Sequence, residues 1–89
     1  RILQLEGYTI LEADTAKAGL KILEREDVHV VLSDVKLPDK NGIELTAHIK
    51  QLYPATEIIV LTAYGTIQDG VTAIKNGAFD YITKGDDND

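Results

Sequence analysis

The sequence predicts an α/β fold built as a doubly wound parallel sheet. Short apolar segments alternate along the chain with segments whose apolar residues recur at helical spacing, which gives the order β-α-β-α-β-α-β. The predicted strands are apolar throughout, as is typical of parallel strands that are covered by helices on both faces. Because ligands bind such sheets at the carboxyl ends of the strands, functional residues are expected there.

The N-terminal half is predicted to contain two strands and one complete helix. Residues 1–7, RILQLEG, are interpreted as the end of a helix that Gly7 closes. The first predicted strand is YTILEA, residues 8–13, and the helix after it covers residues 16–26. VVLSD, residues 30–34, is the second strand. The candidates for the N-cap of the helix are Asp14 and Thr15.

The C-terminal half is predicted to contain two further helices and two further strands. The helices cover about residues 43–52 and 65–77, and the strands cover residues 57–63 and 79–84. The apolar residues that recur on one face of the last helix are Ile67, Val71 and Ile74.

Both ends of the chain are interpreted as cut ends, so that residues 1–89 form a single partial domain. The chain does not begin with methionine, and its first predicted element is only the end of a helix. The acidic residues 85–89 are predicted to be a tail or the start of a following loop.

Composition excludes several classes of function. The net charge of −6 argues against a nucleic-acid surface, which needs clustered Lys and Arg. Without cysteine, the chain has no disulfides, zinc thiolate sites or thiol catalysis. Its apolar runs are too short to cross a bilayer and no signal peptide opens the chain, so a cytoplasmic protein is predicted.

Three predicted strands end in reactive residues, namely Asp34, Thr62 and Lys84. Taken alone, Asp34 can cap a loop, Thr62 suits a strand, and Lys84 can be an exposed side chain. If the strands are neighbours, a strand spacing of about 4.8 Å places the backbones of Asp34 and Lys84 about 10 Å apart. A carboxylate, a hydroxyl and an ammonium group around one point suit an incoming phosphoryl group, which Asp34 would accept.

The same segments resemble the receiver domains of bacterial two-component response regulators. VVLSDVKLPDKNGIEL is similar to the phosphoacceptor segment of that family, IIVLTAYG to its switch-threonine segment, and GAFDYITK to its last strand. The resemblance implies a flavodoxin/CheY-like fold that lacks the first strand and the last helix. The present chain would then run from the second to the fifth strand of the family.

The resemblance also implies the roles of individual residues. Asp34 would be phosphorylated by a sensor histidine kinase in a Mg²⁺-dependent step. Thr62 would be the switch hydroxyl, Lys84 would pair with the acceptor, and Tyr81 would be the aromatic whose ring turns inward when the threonine moves. The chain would be a regulatory phosphoacceptor and not an enzyme, catalysing at most its own phosphorylation and dephosphorylation.

Further residues around the acceptor are given roles by the same resemblance. The Mg²⁺ ligands in the chain would be Asp34 and the backbone carbonyl of Lys36, while Pro38 and Gly42 would shape the loop. Lys36 and Tyr64 would flank the line of water attack, and because both are bulky we expect slow hydrolysis of the phosphoaspartate.

Implied partners lie outside the segment. TAYGTIQDGVTAIKNGAFDYITK resembles receivers fused to AAA+ transcription activators of the NtrC type. The attached output domain would then be a DNA-binding, AAA+ transcriptional regulator, and the receiver could form a homodimer. No direct contact with nucleic acid or membrane is expected from this segment.

Departures from the family lead to three expectations. The first strand of the family, with its acidic pair that binds Mg²⁺, would lie between residues 8–13 and 30–34. Its absence predicts that the piece alone binds Mg²⁺ poorly and is not phosphorylated, and that exposed strand edges invite non-native pairing. Gly85 stands where the family has proline, which leaves the cis peptide before it in question.

Two other functions are compatible with parts of the pattern. A degenerate receiver that serves only as a protein-docking module would also lack the acidic pair. A haloacid-dehalogenase-like phosphatase also uses an aspartate nucleophile, a threonine and a lysine. That class needs a second aspartate two residues after the nucleophile, where this chain has Lys36.

Overall fold

The computed structural model describes residues 1–84 as one five-stranded sheet with three helices, so the predicted α/β fold is confirmed. The strands are β1 (Ile2–Leu5), β2 (Tyr8–Glu12), β3 (Val30–Ser33), β4 (Glu57–Thr62) and β5 (Asp80–Thr83). The helices are α1 (Ala16–Leu23), α2 (Gly42–Leu52) and α3 (Ile67–Lys75). The predicted acidic tail and Gly85 lie outside the described residues.

The opening segment is a strand, so the predicted helix end at residues 1–7 is wrong. β1 pairs antiparallel with β2, with Leu5 opposite Tyr8. The two residues between them, Glu6 and Gly7, have φ of 53° and 84°. Positive φ at both central positions is the requirement of the two-residue hairpin turn whose twist matches the strands. Gly7 therefore closes a hairpin and not a helix.

The strands are arranged in the order β1-β2-β3-β4-β5, and all neighbours after β2 are parallel. β2 pairs directly with β3, with Ile10 opposite Val30 and Leu11 opposite Val31. The expectation of two exposed edges at this point is therefore not met, because these two strands satisfy each other's backbone groups. Successive parallel strands place the ends of β3, β4 and β5 side by side.

The core lies between the sheet and the three helices. Leu11, Val31 and Ile58 lie side by side on one face of the sheet and are fully buried with Leu45 and Ile49 of α2. On the opposite face the apolar side chains are only half-buried; they are Ile10, Val30, Leu32, Ile59 and Leu61. Right-handed crossovers between successive strands place all their helices on the same face. In residues 1–84 the second face, which we term the open sheet face, therefore carries no helix.

The helix boundaries are fixed by side-chain caps. Thr15, one of the two predicted candidates, caps α1, Asn41 caps α2, and Thr66 caps α3 in a reciprocal pair with Asp69. Only Ala73 of α3 is buried, whereas its periodic apolar residues are exposed: Ile67, Val71 and Ile74. No helix within the described residues is long and apolar enough to cross a membrane.

Candidate functional site

The carboxyl edge of the sheet brings the three predicted strand-end residues together. β3, β4 and β5 are neighbours; Asp34 follows β3 directly, Thr62 is the last residue of β4, and Lys84 follows β5. The backbone N–H of Lys84 donates a 2.7 Å hydrogen bond to the carbonyl oxygen of Thr62, which extends the pairing of the two strands to the site.

Asp34 lies between two clefts and is half-buried. One cleft, of about 210 Å³, joins it to Thr62, Tyr64 and Asp69. The other, of about 180 Å³, joins it to Lys84. Since both clefts open at Asp34, an incoming group can reach its carboxylate with Thr62 on one side and Lys84 on the other.

The polar groups around Asp34 make only long hydrogen bonds with one another. Oδ1 of Asp34 accepts a 3.4 Å hydrogen bond from the backbone N–H of Lys36, and Oγ1 of Thr62 accepts one of 3.4 Å from Tyr64. Thr62 is buried, whereas Lys36 is exposed and Tyr64 is 91% exposed. Within residues 1–84, no ion pair of 4.0 Å or less joins Lys84 to Asp34. Pairing of these two charges therefore stays a prediction.

Gly42 is packed against the backbone of Asp34. Its N–H donates a 2.6 Å hydrogen bond to the carbonyl of Val35. A Cβ built on Gly42 would overlap the carbonyl oxygen of Asp34 and lie 2.9 Å from Oγ of Ser33. A larger residue at this position would displace the backbone of Asp34, which is a physical reason for glycine here.

The loop between Asp34 and α2 is held at two further points. Lys36 and Asn41 form an isolated antiparallel bridge that draws its two ends together, with the exposed Pro38 between them. Asp39 accepts hydrogen bonds from the first turn of α1. These bonds lower the pKa of the Asp39 carboxyl, the bond from Ala16 contributing most. Nothing in the local spacing of the sequence connects position 39 to α1.

Tyr81 is the second residue of β5, and its ring lies against α3. Its hydroxyl donates a 3.0 Å hydrogen bond to the carbonyl oxygen of Thr66 in the loop that follows Thr62. Desolvation raises the pKa of the Tyr81 hydroxyl, and the nearby charges of Asp69 and Asp34 raise it further. The phenol therefore keeps its proton and remains a donor over a wide pH range.

The described residues do not form a complete metal site. No group of three or more histidine, cysteine, aspartate or glutamate side chains within residues 1–84 is arranged to hold a metal ion. Glu12 and Asp14 line the same cleft as Asp34, but these carboxylates do not converge on one point. Asp34 and the Lys36 carbonyl would supply one carboxylate and one carbonyl, so Mg²⁺ held by them alone would have to keep most of its six oxygen ligands as water. The residues present therefore do not by themselves form a fitted metal site, and poor Mg²⁺ binding by this piece stays a prediction.

The chain belongs to the response regulator receiver domain family, whose pattern matches residues 1–89. The transcriptional regulatory protein GlrR of Escherichia coli (strain K12) is 39% identical over 84 residues, which are 94% of this chain and 19% of that protein. The DNA-binding transcriptional regulator NtrC of Proteus hauseri is 37% identical over 84 residues, 94% of this chain and 18% of that protein. The resemblance stated from the sequence is thereby confirmed.

A solved structure shows the fold of the same family. A response regulator protein from Burkholderia pseudomallei, with a phosphorylated aspartic acid, a calcium ion and citrate, matches with a TM-score of 0.74. The match has 33% identity and covers 81% of this chain and 42% of that one. Receiver domains are regulatory domains of two-component systems. Since the chain spans less than one fifth of the two regulators, the activities of whole proteins come to it only as proposals.

Proposed function

We propose that the chain is part of a phosphorylation-dependent switch in which Asp34 accepts a phosphoryl group from a sensor histidine kinase. The observation that carries this proposal is the position of Asp34, between a cleft shared with Thr62 and a cleft shared with Lys84. The phosphorylated aspartic acid in the Burkholderia pseudomallei protein supports the same chemistry.

On the protein side, the transfer uses a carboxylate nucleophile and groups that stabilise charge at the phosphoryl oxygens. A carboxylate oxygen of Asp34 forms a bond to phosphorus while the bond from phosphorus to the donor nitrogen of the kinase histidine breaks, and the donor leaves with that electron pair. The Thr62 hydroxyl and the Lys84 ammonium group would bind the phosphoryl oxygens. Water later cleaves the acyl phosphate, which regenerates the carboxylate and releases inorganic phosphate.

Phosphorylation would act on a two-state element formed by Thr62 and Tyr81. The added charge would draw the Thr62 hydroxyl toward the phosphoryl group and favour the inward position of the Tyr81 ring, which the ring already occupies in the described structure. Mg²⁺ would assist in the intact domain, with Asp34 and the Lys36 carbonyl among its ligands. In this piece we expect binding to be weak or absent, because the residues present do not fit the ion.

The output is proposed to be transcriptional. GlrR is named a transcriptional regulatory protein and NtrC a DNA-binding transcriptional regulator, which supports an attached DNA-binding output domain. The AAA+ part of that domain rests on the resemblance of residues 62–84 to receivers of the NtrC type. A homodimer of the receiver and a cytoplasmic location are part of the same proposal. The acidic charge of the segment leaves contact with DNA to the attached domain.

The acceptor assignment can be tested by mass spectrometry. An intact receiver that contains these residues is treated with a small-molecule phosphodonor and Mg²⁺, beside its Asp34→Asn and Asp27→Asn variants. Asp27 is exposed and lines neither cleft at Asp34. We expect one phosphoryl group on the unmodified receiver and on the Asp27→Asn control, and none on Asp34→Asn. Equal labelling of all three would end the assignment of Asp34.

The incomplete metal site favours one alternative function, a receiver that serves only as a docking module. The phosphorylation-dependent switch and the docking module differ in the residues expected upstream of this chain and in the expected response to a phosphodonor. A receiver whose upstream strand ends without two acidic residues, and which stays unlabelled with Mg²⁺ present, would be a docking module.

A further inference from the structure

The side chain of Tyr81 lies against two glycines. Gly65 belongs to the loop between β4 and α3, and Gly70 lies in the middle of α3. The Tyr81 hydroxyl bonds to the carbonyl of Thr66, so the ring points inward, toward the loop that follows Thr62. We propose that Gly65 and Gly70 are positioning residues that form a recess for the Tyr81 ring and hold it inward because neither carries a side chain.

Position 65 contacts both members of the proposed switch. A Cβ built on Gly65 would overlap the Tyr81 hydroxyl and lie 2.5 Å from Cγ2 of Thr62. Carbon atoms are in ordinary contact at about 3.5–4.0 Å, so neither neighbour leaves room for even one methyl group. Position 65 is therefore where the side chains of Thr62 and Tyr81 approach each other, and their present positions require glycine.

Gly70 forms the second wall of the recess. A Cβ at this position would lie 2.7 Å from Cδ2 and 3.0 Å from Cε2 of Tyr81. Glycine inside a helix lowers the helix-forming equilibrium by roughly fivefold relative to alanine, so its presence in α3 calls for a reason. Gly19 of α1 differs, because the nearest atom to its added Cβ is the Ala13 Cβ at 3.3 Å.

A second, outward position is also open to the Tyr81 ring. A cleft of about 510 Å³ lies between α3 and β5, lined by Val71, Ile74 and Tyr81 itself. Filling the recess with a methyl group would push the ring toward this cleft and break the hydrogen bond to Thr66. The two glycines therefore set the balance between an inward and an outward ring.

For signalling, the inference rests on the proposed role of Tyr81, but the recess itself can be tested without phosphorylation. In the full chain, Gly70→Ala is expected to lower the equilibrium constant for folding, because the methyl group and the ring compete for one volume. In the Tyr81→Ala background the same change is expected to raise it by roughly fivefold, because alanine favours a helix. Gly19→Ala, the matched control, is expected to have the same effect in both backgrounds.

Two further measurements test the position of the Tyr81 ring and its effect on the phosphorylation of Asp34. Nuclear Overhauser contacts between the Tyr81 ring and the α-protons of residue 70 are expected in the unmodified chain and lost in Gly70→Ala and Gly65→Ala. In an intact receiver, both variants are expected to change the labelling rate of Asp34 by a phosphodonor ~5-fold or more relative to Gly19→Ala.

Different results would contradict the recess, the positioning role of the glycines, or the proposed function. The recess would be disproved if Gly70→Ala changed the folding equilibrium constant in the same direction in both backgrounds. It would also be disproved if the Tyr81 ring stayed against residue 70 in the variants. A displaced ring with labelling unchanged from the Gly19→Ala control would overturn the positioning role and leave Asp34 as acceptor. If the unmodified intact receiver is not labelled, the proposed function fails, while the folding cycle still decides on the recess.

Discussion

The carboxylate of Asp39 accepts a 2.8 Å hydrogen bond from the backbone N–H of Ala16, 23 residues earlier in the chain. Its second oxygen accepts one of 3.0 Å from Lys17. A single exposed side chain thus satisfies two free N–H groups at the start of α1 and fixes the loop between Asp34 and α2 against that helix. A carboxylate is also favoured there by the helix dipole.

The Asp39 contact predicts a specific acid dependence of stability. Because its pKa is lowered from the ordinary value of 3.8, the folded state favours the charged form. Its contribution to stability is therefore complete above pH 3.8 and is lost as the pH falls through the lower, folded-state pKa. Asp39→Asn is expected to remove this part of the pH dependence, measured by urea unfolding between about pH 2 and pH 6. Parallel curves for both proteins over this range would contradict the assignment.

Gly42→Ala is predicted to destabilise the chain. The added methyl group overlaps the carbonyl of Asp34, and the repacking of a filled site costs about 1–3 kcal/mol. Urea unfolding of the variant should show this loss, whereas Glu44→Ala, at an exposed position of the same helix, should change the free energy of unfolding by less than about 0.5 kcal/mol. Equal values for the two variants would show that the loop accommodates a side chain.

Tyr64→Ala is predicted to shorten the lifetime of the phosphoaspartate in an intact receiver. Tyr64 lines the cleft that Asp34 shares with Thr62, and its ring is 91% exposed, so it can cover the acceptor without being part of the core. Removing it opens the path of water to phosphorus, and the rate of phosphate release should rise. Tyr64→Phe retains the bulk and is the control. A release rate that is the same in all three proteins would exclude a shielding role.

The open sheet face is predicted to make this chain self-associate. Leu32 and Ile59 lie opposite each other in the register at its centre and are half-buried. Contiguous apolar surface of this kind favours association. Light scattering at high concentration should show aggregates that Ile59→Lys reduces, whereas Ile67→Lys, at a residue that is 88% exposed on α3, should not. A monodisperse monomer without either substitution would refute the prediction.

The limits of prediction from sequence are clearest at Gly7 and in α3. A glycine with positive φ ends helices and also closes two-residue hairpins, so Gly7 alone did not distinguish the two, and Glu6 at φ 53° is an uncommon residue for such a turn. In α3 the spacing of Ile67, Val71 and Ile74 predicted a helix correctly. Periodicity does not say which face meets the core, and only Ala73 is buried.

The sequence predicted the positions of the strand-end residues, because the order of the strands along the chain determines those positions. Asp34, Thr62 and Lys84 could be placed at one edge because parallel strands end on the same side of a sheet. Contacts between distant segments, such as Asp39 with α1 or Tyr81 with Gly70, have no local signature and needed the structure. Whether the Lys84 ammonium group reaches Asp34 stays a prediction, since strand ends fix the backbone and not a long side chain.

The strand order has a consequence for how the chain is made. Each strand pairs with the strand that precedes it in the sequence, so no later segment has to insert between two earlier ones. Within residues 1–84 the β1–β2 hairpin can form before the later strands, and each βα unit can then add to the free edge of the sheet in chain order. We expect the sheet to grow in the direction of translation, with β5 and the residues around Lys84 joining last, so that the phosphate-binding edge is complete only once the rest of the described sheet has formed.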